Sequence, residues 1–313
     1  MPRLASALLV VGLLVATAAA FAVTERLKLV RSPILQTQLD RGVFSPVCGC
    51  ESDTVELGFR LRNADRVTIT VVDADGRTVT TLVRGERRPA GPVVVRWDGR
   101  GDDGSVVPEG TYKPRVHLAG QHRTIELPNP MRVDTTAPDV LELSAGPLAF
   151  SPDGDGRRDK VAVRYRLSEE SRAELYVGGE LRVTQRRRLA AGKIDWHGLQ
   201  GERGLPAGSY ELSLVATDRA GNRSRPGGPV GVTIRYVELS RRAITVRAGR
   251  RFSVRVTTDA ESFSWRLGRA GGRAVPGVLV VRAPQRPGRY ALVVEANDRR
   301  ARANVTVEAA RAR

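Results

Sequence analysis

FSPDGDGRRDKVAVRYRLSE, residues 150–169, is the stretch of sequence that decides the fold, because much of it occurs twice in the chain. Phe150-Ser151-Pro152 repeats Phe44-Ser45-Pro46 at an offset of 106 residues. The same offset relates several later positions: Asp53 and Asp159, Val55 and Val161, Phe59 and Tyr165, Leu61 and Leu167. Self-similarity of this kind predicts two copies of one structural unit.

A second block repeats further along each copy. WDGRGDDGSVVPEGTY, residues 97–112, matches WHGLQGERGLPAGSY, residues 196–210, with Trp, Gly, Pro, Gly and Tyr in the same order. We predict that Trp97 and Trp196 are core residues, and that the tyrosine at the end of each block packs at the sandwich edge with its hydroxyl bonded to backbone or water.

Strand patterns accompany both repeats. Residues 67–71 and 210–216 alternate apolar with polar side chains, which is typical of strands buried on one face. The chain has 32 glycines and 18 prolines, a composition that favours short strands joined by tight turns. The sequence therefore predicts an all-β fold.

The ordered set of motifs resembles the FlgD/Vpr-type immunoglobulin-like domain over about residues 44–134 and 148–235. This resemblance implies β-sandwiches that serve as spacers, assembly surfaces or accessory modules. Neither a hook-assembly region nor a protease domain is recognisable, so the activities of the proteins that name the family are not expected here.

The predicted organisation is a tandem array of immunoglobulin-like β-sandwiches, preceded by one N-terminal hydrophobic helix. Residues 44–134 and 135–236 form the two related domains. Residues 237–313 lack the FSP and tryptophan motifs but keep strand patterns, so they predict a third, divergent sandwich. Residues 24–43 are predicted to be a spacer.

The N-terminal segment 1–23 is predicted to be a signal anchor or a signal peptide. Its uncharged stretch from Leu4 to Val23 is 20 residues long, which is enough to cross a bilayer as a helix. Arg3 before it and alanines near its end also suit a cleaved signal peptide. Either alternative places the bulk of the chain outside the cytoplasm, held at the cell membrane by this helix or secreted.

Asp153, Asp155 and Asp159 in the DGDGRRD loop are spaced like part of a calcium site, because carboxylates at alternate positions converge when glycines let the backbone curl. The bidentate glutamate of a full EF-hand loop is missing. The alternative is an Asp-Gly turn that caps the first strand without metal.

Cys48 and Cys50 occupy the corresponding loop of the first copy and are the only cysteines in the chain. In an oxidising compartment two cysteines are expected to pair, so we predict a disulfide that holds this turn. Intermolecular pairing and a partial site for a soft metal are the alternatives.

The net charge of +17 arises almost entirely from arginine, and residues 236–313 hold 17 arginines against 6 acidic residues. Runs of basic residues usually face solvent, so no specific nucleic-acid partner is expected. If any segment meets an anionic surface, it is this one.

Candidate catalytic residues do not form a recognisable set. His117, His122 and His197 lack metal-ligand spacing, and no nucleophile motif lies near a base. The sequence predicts a non-catalytic scaffold or binding protein of the cell envelope or exterior, with cell-wall or protein partners. The alternatives are a module that binds cell wall, carbohydrate or anionic polymer, and an accessory subunit of a secreted enzyme.

Overall fold

The computed structural model describes residues 11–21, 32–201 and 203–309. It divides into two compact units, Met1–Thr135 and Thr136–Arg313. Apart from a helix at residues 11–21, the regular structure of these ranges consists of β-strands. The predicted all-β fold is confirmed.

The helix lies inside the segment predicted to be a signal anchor or signal peptide. Residues 1–10 and 22–31, which complete that segment and begin the predicted spacer, lie outside the described residues. Within the described ranges, no helix combines the length and the apolar composition needed to cross a bilayer. The choice between anchor and cleaved signal stays a prediction.

The first sandwich lies in the unit Met1–Thr135. Its strands are β1 (Ile34–Leu39), β2 (Val43–Phe44), β3 (Val55–Leu61), β4 (Asp65–Val72), β5 (Thr78–Arg88), β6 (Gly91–Trp97), β7 (Gly110–Leu118), β8 (Arg123–Glu126) and β9 (Met131–Val133). One sheet has the order β1-β3-β6, and the other has the order β2-β9-β7-β4-β5 with β8 added on β7. Apolar side chains from both sheets form the core.

Strand β1 corrects the prediction that residues 24–43 are a spacer. It pairs antiparallel with β3, with Ile34 opposite Leu61, and Ile34 is buried. Because β1 is an edge strand whose residues are half glutamine and threonine, its sequence shows little of the alternation seen in residues 67–71 and 210–216. The sandwich therefore begins at Ile34, ahead of the repeated Phe44.

The second sandwich opens the unit Thr136–Arg313. Its strands are β10 (Val140–Gly146), β11 (Ala149–Phe150), β12 (Val161–Val177), β13 (Glu180–Thr184), β14 (Leu189–Trp196), β15 (Leu199–Gln200), β16 (Arg203–Gly204), β17 (Gly208–Thr217) and β18 (Gly227–Ile234). The 17-residue β12 belongs to both layers: its first part pairs with β10 and β14, and its last part pairs with β13 and β17. In the first sandwich the same run is divided into β3 and β4.

The third sandwich follows in the same unit. Its strands are β19 (Glu238–Leu239), β20 (Ala243–Arg247), β21 (Arg251–Thr257), β22 (Phe263–Leu267), β23 (Ala270–Ala274), β24 (Gly277–Arg282), β25 (Gly288–Ala296) and β26 (Arg299–Glu308). A three-stranded sheet, β19-β21-β24, faces a five-stranded sheet, β20-β26-β25-β22-β23. Its buried residues form a cluster separate from that of the second sandwich.

All three sandwiches close in the same way. A short strand near the start of each one pairs in parallel with its last strand: β2 with β9, β11 with β18, and β20 with β26. The other ladders are antiparallel. The third sandwich thus keeps the topology of the first two although its motifs differ.

A buried tryptophan organises the core of each motif-bearing sandwich. Trp97 packs edge-on against Phe44 and Tyr112, with ring centroids 5.4 and 5.3 Å apart. Trp196 makes the same two contacts in the second copy, at 5.5 Å from Phe150 and at 6.2 Å from its tyrosine. Both tryptophans are almost fully buried, which confirms their predicted core role.

The tyrosine hydroxyls bond to the backbone four residues earlier. Tyr112 donates to the Pro108 carbonyl at 2.7 Å, and Tyr210 makes the equivalent bond at 2.8 Å. The third sandwich repeats the contact without the tryptophan, because the Tyr290 hydroxyl donates to the Arg286 carbonyl at 2.9 Å. The predicted tyrosine turn is confirmed, and it extends to all three sandwiches.

Position 198 requires glycine because the FSP segment packs closely against the tryptophan block there. Its φ is +62°, and a Cβ there would lie 2.8 Å from Pro152 Cγ and 3.0 Å from the Phe150 ring. Gly99 has the same constraint in the first copy, with Pro46 Cγ at 2.1 Å. A left-handed backbone and a crowded Cβ both require glycine.

We expect Gly198→Ala to lower the free energy of unfolding of the second sandwich by about 1–3 kcal/mol, through backbone strain and overpacking. Hydrogen exchange of β12 peptides measures this, because their slow opening reports the stability of that sandwich. Gly231→Ala in β18 is the control, since a Cβ there meets no atom within 4 Å. Equal effects from the two substitutions would contradict the proposed constraint.

Candidate cation site in the second unit

The FSPDGDGRRD loop joins β11 to β12 and is closed by Asp159. Its Oδ1 accepts a hydrogen bond from the Gly154 N–H at 2.8 Å, and its Oδ2 accepts one from the Gly156 N–H at 2.7 Å. The two glycines have φ values of +84° and +85°, which other residues rarely adopt. The Asp159 carboxylate is therefore committed to holding the loop.

Asp153 and Asp155 of this loop lie beside Asp259 of the third sandwich. One carboxylate oxygen from each residue lies within 4.8 Å of the other two. Asp259 follows β21, so the cluster joins side chains from two sandwiches of the same unit. Three carboxylates this close repel one another unless a proton or a cation lies between them.

Asn297 contacts the same cluster from the turn between β25 and β26. Its Nδ2 donates to Asp153 Oδ2 at 3.1 Å and to Asp155 Oδ2 at 2.8 Å. Asn297 and Asp298 both have positive φ, which a two-residue hairpin turn demands and which these residue types tolerate. Rotating the Asn297 amide would present its oxygen to the cluster in place of the nitrogen.

Three of the carboxylate oxygens are shielded and lack a partner among the described residues. Both oxygens of Asp259 and Oδ1 of Asp153 each expose less than 1 Å² to solvent and accept no hydrogen bond. Burial, together with the charges of Asp153 and Asp155, raises the pKa of Asp259. The backbone N–H of Asp259 itself and the Ser151 hydroxyl, which donates to Asp153 Oδ2 at 3.0 Å, offset this rise only in part. Buried oxygens without partners are costly, and a cation would satisfy all three.

The donor set suits a hard divalent cation. Calcium takes about 6–8 oxygen ligands in flexible geometry, whereas magnesium demands near-ideal octahedral geometry and gives up its waters reluctantly. Carboxylates and an amide from three separate loops suit calcium better than magnesium.

The structure brings together two of the three residues predicted for calcium. Asp153 and Asp155 lie in the cluster, while Asp159 closes the loop through its backbone contacts. Asp259 and Asn297 take part instead, and no sequence pattern marked either of them, because both belong to the sandwich that lacks the repeated motifs.

Further contacts join the second and third sandwiches around the cluster. The Arg299 guanidinium lies 4.0 Å from the centroid of the Tyr236 ring, and the Tyr236 hydroxyl donates to the Leu205 carbonyl at 2.7 Å. Arg157 of the loop forms an ion pair with Glu261. The two sandwiches thus meet through stacking, charge pairing and the carboxylate cluster.

The matching loop of the first sandwich joins β2 to β3. Cys48 and Cys50 stand there at the positions of the two loop glycines, and their sulfur atoms are bonded at 2.11 Å. The loop backbone follows the second copy: the Ser45 N–H donates to the Ser52 carbonyl at 2.9 Å, and the equivalent Ser151 N–H donates at 3.0 Å. The oxidation state of the purified protein stays a prediction.

Comparison with known proteins identifies the family of the first sandwich. Residues 50–121 match the model of the FlgD Ig-like domain. A 65-residue stretch is 46% identical to the basal-body rod modification protein FlgD of Salmonella typhimurium, and FlgD of Salmonella typhi matches to the same extent. The match covers 20% of this chain and 28% of each relative, so the chain spans less than a third of their length.

Solved structures match at lower similarity. The fibronectin(III)-like modules of Clostridium thermocellum CbhA are 15% identical, with a TM-score of 0.35 over 64% of this chain and 93% of theirs. FlgD from P. aeruginosa is 19% identical, with a TM-score of 0.24 over 50% of this chain and 99% of its own. The sequence match, together with the strands that it covers, shows that the first sandwich of this chain is an FlgD-type immunoglobulin-like domain.

Proposed function

We propose that this protein is a non-catalytic scaffold that displays three immunoglobulin-like sandwiches outside the cytoplasm. The observation that carries this proposal is that the repeated motif residues serve packing. Trp97 and Trp196 are 2% and 3% exposed, and the tyrosines that follow them bond to backbone carbonyls. The match to FlgD-type domains supports the same non-catalytic, structural role.

Two features support a location in the cell envelope or beyond it. The apolar stretch from Leu4 to Val23 suits export by anchor or signal peptide, and membrane attachment would run through this segment. The bonded pair Cys48 and Cys50 is of a kind that persists in oxidising compartments. The proposed partners are cell-wall components or other envelope proteins.

Protease shaving of intact cells tests the location. With a tag after Arg313, we expect added protease to remove the tag signal from whole cells while a cytoplasmic marker stays intact. Protection of the tag until the cells are lysed would contradict export.

We expect thiol titration of the denatured, unreduced protein to detect no free thiol, because the only two cysteines, Cys48 and Cys50, are bonded to each other. After reduction, both should titrate. Protein prepared under reducing conditions is the control, and mass spectrometry of the unreduced monomer excludes pairing between chains. Two free thiols in the unreduced sample would disprove the bridge.

We further propose that a calcium ion held by Asp153, Asp155 and Asp259 fixes the second sandwich to the third. The support is the set of shielded oxygens without partners, which a cation would satisfy. Calcium bound between the second and third sandwiches would stabilise their docked arrangement, because a ligand that binds only one arrangement of a protein favours that arrangement.

Calcium added to the chelator-treated full chain should raise the melting temperature, by about 2–4 °C for each kcal/mol of stabilisation. Asp259→Asn should remove this response. In chelator it should melt no lower than the wild type, because it removes a repelling charge. Asp298→Asn is the matched control, since Asp298 is exposed and lies outside the cluster. A wild-type melting temperature that ignores calcium, or an Asp259→Asn response equal to wild type, would refute the site.

A further inference from the structure

The arginine excess of the third sandwich is concentrated by strand register on one surface. We name this surface the arginine face: the outer side of the five-stranded sheet β20-β26-β25-β22-β23. Six exposed arginines lie on it: Arg247, Arg266, Arg273, Arg289, Arg300 and Arg302. The carboxylates on the same side are Glu295 and Glu308.

Register places several of these arginines in lateral rows. Arg266 on β22 and Arg302 on β26 both stand opposite Val293 of the intervening β25. In the next row, Arg273, Ser264, Glu295 and Arg300 follow one another across four strands. Since neighbouring strands lie about 4.8 Å apart, Arg266 and Arg302 stand two strand spacings apart on the same side of the sheet.

Most arginines of this face form no ion pair within the described residues. Arg300 pairs with Glu295 at 2.8 Å. The other five arginines have no carboxylate oxygen within 4.0 Å in the part of the chain that the structure describes. Folding therefore leaves this charge available to an external anion.

A cavity of about 410 Å³ lies on the arginine face. Arg289 and Arg302 contribute to its lining together with Asn304 and Thr306. The cavity therefore combines two positively charged guanidinium groups with neutral hydrogen-bonding groups. Guanidinium groups bind carboxylates through paired hydrogen bonds, while amide and hydroxyl groups suit the hydroxyls of a sugar.

The same face lacks the features that other anionic partners use. Its larger apolar side chain, Val293, is half-buried, and the exposed Ala243 is small, whereas the exposed Val278 and Val280 lie on the other sheet. The arginine face therefore offers little to insert into a lipid surface. Tyr290 and Trp265 turn towards the core, so they do not present rings on which nucleic-acid bases could stack.

We propose that the arginine face binds an acidic polysaccharide, with Arg289 and Arg302 holding its carboxylates and Asn304 and Thr306 its hydroxyls. Such binding would attach the scaffold to an acidic polysaccharide of the envelope. The inference deepens the binding role of the proposed scaffold, but the binding surface belongs to the protein wherever it resides. A failure of export would therefore leave the binding test unaffected.

Biolayer interferometry of the full chain on immobilised hyaluronan, a carboxylate polysaccharide, tests this assignment. Chelator is included so that the carboxylate cluster cannot contribute through calcium. We expect affinity that falls as salt rises and no binding to neutral dextran. Arg289→Glu/Arg302→Glu should weaken binding about tenfold or more, because two charge-assisted contacts become repulsive.

The matched control is Arg251→Glu/Arg255→Glu, which changes the net charge equally on the outer side of β21, in the opposite sheet. Its effect should be several-fold smaller. Equal loss from the two double variants would reduce the binding to net charge and overturn the assignment. Tighter binding of the wild type to polyphosphate or to phosphatidylglycerol vesicles than to hyaluronan would overturn it too.

A measurement on the wild type keeps the test decisive if the double variant fails to fold. Hyaluronan should protect Arg289 and Arg302 from modification by phenylglyoxal, as mapped by mass spectrometry, and should leave Arg251 and Arg255 reactive. Uniform protection, or protection confined to Arg251 and Arg255, would place the polymer elsewhere and reject the arginine face as its site.

Discussion

The edge-on packing of a tryptophan between a phenylalanine and a tyrosine is the interaction on which the two related sandwiches depend. This packing holds the FSP segment against the start of the tryptophan block. The two segments lie so close together that Gly99 and Gly198 cannot carry a side chain. This contact fixes where the following loop leaves the sandwich. The loop can then diverge, closed by a cysteine pair in one copy and by Asp159 in the other, without loss of the core.

Much of the fold could be predicted from the sequence because the same motifs occur in the same order in two copies. Motif order located the cores and the tyrosine turns, and alternation located strands such as β4 and β17. Strand β1 was missed because an edge strand with few apolar residues carries a weak pattern. The third sandwich was recognisable only by its strands, yet it closes by the same parallel pairing and the same tyrosine bond.

The candidate cation site could be predicted only in part, for a physical reason. Asp153 and Asp155 share a short glycine-rich loop, so their proximity is local. Asp259 and Asn297 come from loops more than a hundred residues away, and tertiary packing alone brings them to the cluster. Asp159 was predicted as a ligand from its spacing, but both of its carboxylate oxygens accept hydrogen bonds from nearby backbone N–H groups.

The parallel pairing between the second strand of each sandwich and its last strand has a mechanical consequence. When tension is applied along a sandwich from its two ends, these neighbouring strands are pulled in opposite directions along their own length. Their hydrogen bonds then bear the load together in shear and do not peel open one at a time. Each sandwich can act as a tensile element, and the five paired positions of β20 and β26 give the last one the longest such clamp.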